Sequence, residues 1–425
     1  MQKKLANILF STRLTAILFI VFAAAMATGT ILDRNMGTSP TPYTRTLIYN
    51  AWWFEAIMGF FVINFIGNMF RYRLFRKEKW ATLLIHLSFI LVIVGAFITR
   101  YISFEGMMAV REGETETQFL SQKIYLTTYI DGDYMVNGVA QRKVLETEVD
   151  LSPRLDNKFD VSTDYNGKQI TIELEKFING AEKDIVPNDS GEEYLKLVEA
   201  GDGKSHNHFL KKGEVQSIHN VLVSLDKQVE GAINITTTDA GLMIESPYDG
   251  EYMTMATRQK GALVKDSLQP LVLRSRYLIG DMAMVFPKPV VKGNFDIVKK
   301  PNILKGDEDG VVLKITADGQ TERIGLLGGK GMNNAFEQVK LGNLDIAMRY
   351  GPKLMELPFG IKLNDFIAEK YPGTDKSYSS YESKVTIVDK EKGDYDYRIY
   401  MNHILDHRGY RFFQSSFDPD EKGTI

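Results

Sequence analysis

The chain has 425 residues, enough for two or three domains, and no cysteine, which excludes disulfides, thiolate metal sites, cysteine nucleophiles and CxxCH haem attachment within it. Its net charge of −3 conceals a division: the first hundred residues hold 11 of the 51 Lys and Arg and 3 of the 54 Asp and Glu, leaving 40 basic and 51 acidic residues after them. A basic, apolar block followed by an acidic, polar region reads as a membrane anchor carrying a soluble domain, with no nucleic-acid footprint.

Three apolar runs lie in the first block, residues 1–102, at about 14–32, 51–70 and 81–101. At 1.5 Å per helical residue each covers roughly 30 Å, the thickness of a bilayer's hydrocarbon core. Lys3, Lys4 and Arg13 precede the first run, and Arg71, Arg73, Arg76, Lys77 and Lys79 fill the link RYRLFRKEK between the second and third. The link between the first and second holds only Arg34 and Arg45. The positive-inside rule then places the N-terminus and the 71–79 link in the cytoplasm and everything after Arg100 outside it. Trp52 and Trp53 mark the outer edge of the second run, and Trp80 the inner edge of the third, as interfacial belts do. Ala25-Met26-Ala27 has the small-x-small form of a signal-peptide cleavage site, but the apolar run continues past it to Leu32, which favours a retained helix.

Residues 103–425 read as a mainly β, antiparallel, sandwich-like extracytoplasmic domain. Short β-rich segments (KIYLTTYI, KQITIELEKF, VLVSL, INITTT, MAMVF, VVLKIT, KVTIV) are punctuated by turns, among them Asn137-Gly138, Asn166-Gly167 and Asp318-Gly319. DSGEEYLKLVEAGDG, residues 189–203, reads as a helix with an Asp/Ser cap and a glycine exit.

His86 is the residue that asks for an explanation. It sits about two turns into the third apolar run, WATLLIHLSFILVIVGAFITRYI, where an unpartnered neutral imidazole costs roughly a few kcal/mol. It reads as a polar helix–helix contact, a proton relay, or an axial ligand to haem iron, with Phe89, Ile90, Ile93 and Phe97 on or near its face as packing residues or porphyrin contacts. The other five histidines lie outside the spans, so a haem with two imidazole ligands would need its second from elsewhere. His403 and His407 form H-x-x-x-H without the HExxH motif, a weak metal signal. His206 and His208 read as solvated loop residues and His219 as a surface residue. No Ser/His/Asp arrangement or carboxylate pair stands out, so no catalytic residue is assigned.

Several stretches resemble the ResB (CcsB) family of system II cytochrome c biogenesis. These are IHLSFILVIVGAFITR, WWFEAIMGFFVINFIGNMFRYRLF, LPFGIKLNDFIAEKYPGTDKSYSSYESKVTI and MNHILDHRGYRFFQSSFDPDEKGT. The likeness is strongest to the ResB half of fused ResB–CcsA cytochrome c synthases, and weakest over 180–300. It implies a bacterial inner-membrane, multi-pass protein that passes haem from the cytoplasmic side outward for attachment to apocytochrome c. It implies His86 as one axial ligand of a non-covalent haem b, with the second ligand and the tryptophan-rich motif supplied by a CcsA (ResC) partner, separate or fused. The family carries a fourth span after the outer domain; the present sequence stops at FFQSSFDPDEKGTI, which suggests a piece of a longer fusion. No residue reads as a catalyst of thioether formation, so the chain would be a non-catalytic part of a synthase. The rival readings are a membrane-tethered adaptor without cofactor and a respiratory cytochrome b-type subunit.

Overall fold

A computed structural model describes residues 2–34, 40–201, 204–280, 282–304, 306–374, 377–418 and 420–425. It divides into two compact units, one formed by residues 1–182 with 299–425 and the other by 183–298.

The first unit begins with a short helix, Gln2–Leu9, and three long apolar ones, Thr12–Leu32, Trp52–Arg71 and Trp80–Tyr101. By length and composition, three helices in the described residues are able to cross a membrane, the third being counted from Lys77. Ser11 caps the first long helix, its Oγ accepting from the Leu14 N–H at 3.2 Å. The first two long helices pack through Leu18, Ile57, Phe61 and Phe65, and Ile90 and Ile93 of the third lean on that cluster. Polar groups fix the arrangement. Asn64, fully buried, accepts from Thr15 Oγ1 at 2.6 Å and donates to the carbonyls of Leu9 (2.6 Å) and Ser11 (3.2 Å). At the opposite end of the second helix, Arg100 pairs with Glu55 at 2.5 Å and donates to the Tyr49 carbonyl at 2.7 Å, which joins the second and third helices.

The same unit continues into antiparallel sheet. A seven-stranded sheet is built on two long strands, Thr115–Asp131 and Leu344–Lys370, flanked by Tyr378–Val388 and Tyr395–Tyr400. A four-stranded sheet orders Gln320–Gly328, Asp309–Ala317, Lys168–Ile178 and Asp160–Tyr165. Their inner faces share one core, which includes Leu126, Ile130, Ile170, Ile172, Leu313 and Met348. The period-two rule is visible along Leu344-Asp345-Ile346-Ala347-Met348-Arg349-Tyr350, where Leu344, Ile346, Met348 and Tyr350 are the buried positions. The predicted Asn-Gly and Asp-Gly turns close hairpins: both residues of each pair, 137–138, 166–167 and 318–319, take positive φ, as a two-residue turn of this hand requires.

The second unit is also β. It has a seven-stranded sheet that includes Ala181–Gly201, Lys204–Lys211, Ser275–Ile279 and Met282–Val285, and a five-stranded sheet that includes Val215–Ile218, Val221–Leu225 and Ile233–Thr238. They enclose a core around Leu195, Leu197, Val223, Ile233, Tyr277 and Phe286.

This unit corrects one expectation. The helix expected at 189–203 is instead part of the strand Ala181–Gly201; residues 202–203 lie outside the described residues. Leu195, Leu197 and Glu199 are buried while the residues between them are not, a period of two. Asn188, not a helix cap, satisfies Ser190. Gly191 lies against another backbone: a Cβ there would meet the Gly293 carbonyl group at 2.4 Å, so the glycine serves a close strand approach.

Candidate functional site

The third apolar helix contributes no buried residue, so much of its surface is available to lipid or to another chain. His86 is half-buried on it. Its Nδ1 lies 2.9 Å from the Thr82 carbonyl oxygen one turn earlier. A carbonyl oxygen only accepts, so Nδ1 carries a proton, and the neutral tautomer with this bond has its lone pair on Nε2. Among the described residues Nε2 has no hydrogen-bond partner. The expected polar contact to a neighbouring helix is thus absent there; the ring is satisfied on one side by its own helix and left with a free donor atom on the other.

Aromatic rings stand beside it. Phe65 of the second long helix meets the imidazole edge-on, with centroids 5.6 Å apart, and stacks on Phe89 at 5.4 Å and on Phe61 at 5.6 Å. Phe89 is 42% exposed. Ile90 and Ile93 are half-buried against the helix core, while Phe97 is turned to Tyr101, with centroids 4.8 Å apart. An imidazole with one nitrogen anchored and the other free, next to an aromatic wall, has the donor and the apolar surround that axial ligation of a flat macrocycle needs.

A second constellation was not legible in the sequence. His407 is buried in the strand Leu405–His407, and its Nε2 lies 2.8 Å from Oδ2 of the buried Asp389. The Tyr395 hydroxyl is 3.1 Å from Nδ1, Phe359 meets the ring edge-on at 4.6 Å, and Arg408 approaches Asp389 at 3.4 Å. The N–H groups of Glu391 and Lys392 donate to Asp389 Oδ1. Burial alone would raise the Asp389 carboxyl; the bond to His407, the two N–H donors and the Arg408 charge outweigh it and hold the group well below the usual carboxylate range. Every member is engaged, and the network ties the Asp389 turn to the hairpin of Leu405–His407. His403 stands apart, its ring stacked on Tyr400 with centroids 4.5 Å apart, so the two histidines of H-x-x-x-H do not converge.

A cleft of about 960 Å³ opens beside the end of the third long helix, lined in part by Phe104, Met108, Phe119, Tyr410 and Phe412. Its cations are spoken for: Arg408 pairs with Asp389 and Glu391, and Arg411 with Asp406. Its lining is mixed, with Ser383, Gln414 and Thr424 among the apolar residues, and both arginines are paired within the protein.

His206 and His208, expected in a solvated loop, are on the strand Lys204–Lys211. His206 is exposed; His208 is half-buried, because the strand's alternation turns it to the same face as the buried Leu210. His219 is a turn residue with 60% of its side chain exposed, as expected.

These features define a class: a chain with three apolar helices able to anchor it in a membrane, joined to an antiparallel β-rich region. Residues 324–425, which hold the His407 network, match the model of the ResB-like family. The chain is 25% identical to Protein NrfI of Wolinella succinogenes over 411 residues, which is 96% of this chain and 31% of that protein. It therefore spans less than a third of the length of the curated relative it matches. The family match covers about the last quarter of the chain, and the likeness to Protein NrfI extends over nearly all of it.

Proposed function

We propose that this chain works in cytochrome c biogenesis as a membrane haem-handling subunit, with His86 as an axial ligand to the haem iron. The observation that carries this is the state of one ring: Nδ1–H is donated to the Thr82 carbonyl, and Nε2 is free on a half-buried helix face beside Phe65 and Phe89. The family supports the process; the ring supports the step. Haem is cargo here, and its iron offers the coordination site that a neutral imidazole fills.

The chain's own residues then have distinct tasks. Thr82 orients the imidazole and keeps its proton on Nδ1. Phe65 and Phe89 supply apolar surface on which a porphyrin face can lie, and Ile90 and Ile93 tie the third helix to the other two. His86 is six residues from Trp80, about 9 Å along the axis, so a site there is close to the basic 71–79 link, which we place on the cytoplasmic side of a bacterial inner membrane. The second ligand comes from a CcsA-type subunit, and apocytochrome c receives the haem on the outer side, where the β-rich region lies. Transfer then rests on proximity, with apocytochrome thiols as nucleophiles.

The test is the purified full chain, co-expressed with a CcsA-type partner. A Soret band that disappears in His86→Ala and returns with added imidazole is expected. Normal protein yield without haem in either form would turn the reading to the cofactor-free adaptor. Haem retained at wild-type level in His86→Ala would refute the ligand assignment.

A further inference from the structure

The end of the helical block that carries the 71–79 link holds a cleft of about 560 Å³, within the roughly 300–1,000 Å³ of ligand pockets. One wall belongs to the second long helix, where Ile63, Ile66 and Phe70 recur at helical spacing and are all exposed. The other wall is Ala6 and Phe10, in and just after the short helix Gln2–Leu9. Gly67 sets how closely the walls approach: a Cβ there would meet the Phe10 ring at 1.9 Å, so the ring rests directly on the helix backbone.

Arg71 also lines the cleft, as the last residue of the second long helix. Its Nη1 donates to the carbonyls of Asn7 at 3.2 Å and Phe10 at 2.9 Å, groups of the kind that a helix end leaves without intrahelical partners. Among the described residues its Nε and Nη2 have no hydrogen-bond partner, and it stands in no ion pair. The planar fork thus keeps donors that suit a phosphate. Ile63 precedes Arg71 by eight residues, about 12 Å along the axis. Apolar walls therefore run into the bilayer's depth from a cationic mouth at its surface.

The surrounding charge has the same sense. The 71–79 link holds five cations and one acid, Glu78. Among the described residues none of the five, nor Lys4, is in an ion pair. At the other end of the helices, by contrast, Arg45 pairs with Asp150 and Arg100 with Glu55. The positive charge at the cleft is left for an anion from outside the chain.

We infer that this cleft binds an anionic phospholipid, its phosphate on Arg71 and one acyl chain between Ile63, Ile66 and Phe70 and the Ala6–Phe10 wall. The inference uses the membrane placement of the helices and not the ligand role of His86; the Soret band of the same preparations reports on that role separately.

The full chain is delipidated in a neutral detergent, checked by circular dichroism, and titrated with phosphatidylglycerol or phosphatidylcholine, the adducts being counted by native mass spectrometry. One phosphatidylglycerol is expected to bind, roughly ten-fold tighter than phosphatidylcholine. Arg71→Gln is expected to remove that preference, weakening phosphatidylglycerol by roughly ten-fold. Ala6→Trp fills the cleft with Arg71 in place and is expected to weaken both lipids; it keeps the test open if Arg71→Gln does not fold. Arg34→Gln, beyond the opposite end of the first long helix, is expected to bind as the unmodified chain does. Equal binding of the two lipids, or phosphatidylglycerol binding unchanged in Arg71→Gln or in Ala6→Trp, overturns the site. Displacement of the lipid by an equal concentration of glycerol 3-phosphate overturns it too, since the cleft would then read a soluble phosphate.

Discussion

Replacing Asn64 with leucine tests how the helical block holds its shape. Asn64 is buried completely and ties the second long helix to the start of the first by three hydrogen bonds: from Thr15 Oγ1, and to the carbonyls of Leu9, the end of the short helix, and of the cap residue Ser11. Interhelical hydrogen bonds in membranes are worth about 0.6 kcal/mol each on average, so the substitution is expected to cost about 2 kcal/mol, roughly 20-fold in helix association. Thr15→Val removes one of the three and is expected to cost about a third as much. Trp53 packs on the same cluster and reports on it by fluorescence during detergent-driven unfolding or steric trapping. Asn64→Leu proving no more destabilising than Thr15→Val would refute the reasoning. The effect also reaches the neighbouring position, since Asn64 sets the rotation of the helix that presents Phe65 to His86.

Two further outcomes follow from buried polar groups. Asp389 is held below the range of an unfolded aspartate, so its contribution to stability is complete above about pH 4 and is lost as pH falls through the lower folded value. Acid unfolding of the first unit is therefore expected to move to higher pH in His407→Phe, measured by circular dichroism; an unchanged acid limb would show that the imidazole does not hold the carboxylate. In the second unit, Tyr277 is fully buried and its hydroxyl accepts from the Val272 N–H at 2.7 Å. Tyr277→Phe orphans that N–H and is expected to cost about 1–3 kcal/mol in chemical denaturation; a neutral result would mean that water reaches Val272.

What the sequence disclosed and withheld has physical causes. The spans were legible because hydropathy alone decides them, and the hairpins because Asn-Gly and Asp-Gly tolerate the positive φ that the turns demand. EYLKLVEA has the composition of a helix because its residues are good helix formers; only the packing of its sheet, which buries Leu195 and Leu197, settles the period. His86 was legible by being polar among apolar residues, but its free Nε2 was not, since that depends on the bond to Thr82. His407 and Asp389 meet only after strand pairing has set the register of a hairpin distant from the Asp389 turn. His208 left one usable trace: in H-N-H-F-L the imidazole shares the parity of Leu210, as a half-buried strand residue does.

The two-unit division has a practical consequence. Ile178 pairs with Gly310, the Gly180 carbonyl accepts from Lys300, and the Ala181 N–H donates to the Glu308 carbonyl. The polypeptide thus departs for residues 183–298 and comes back at nearly one point on the rim of the four-stranded sheet. A tight turn spliced between Gly180 and Lys300 would preserve the ladder on either side of it. Excising the intervening segment at the bench is therefore expected to leave the hydrogen-bond pattern of the four-stranded sheet in place.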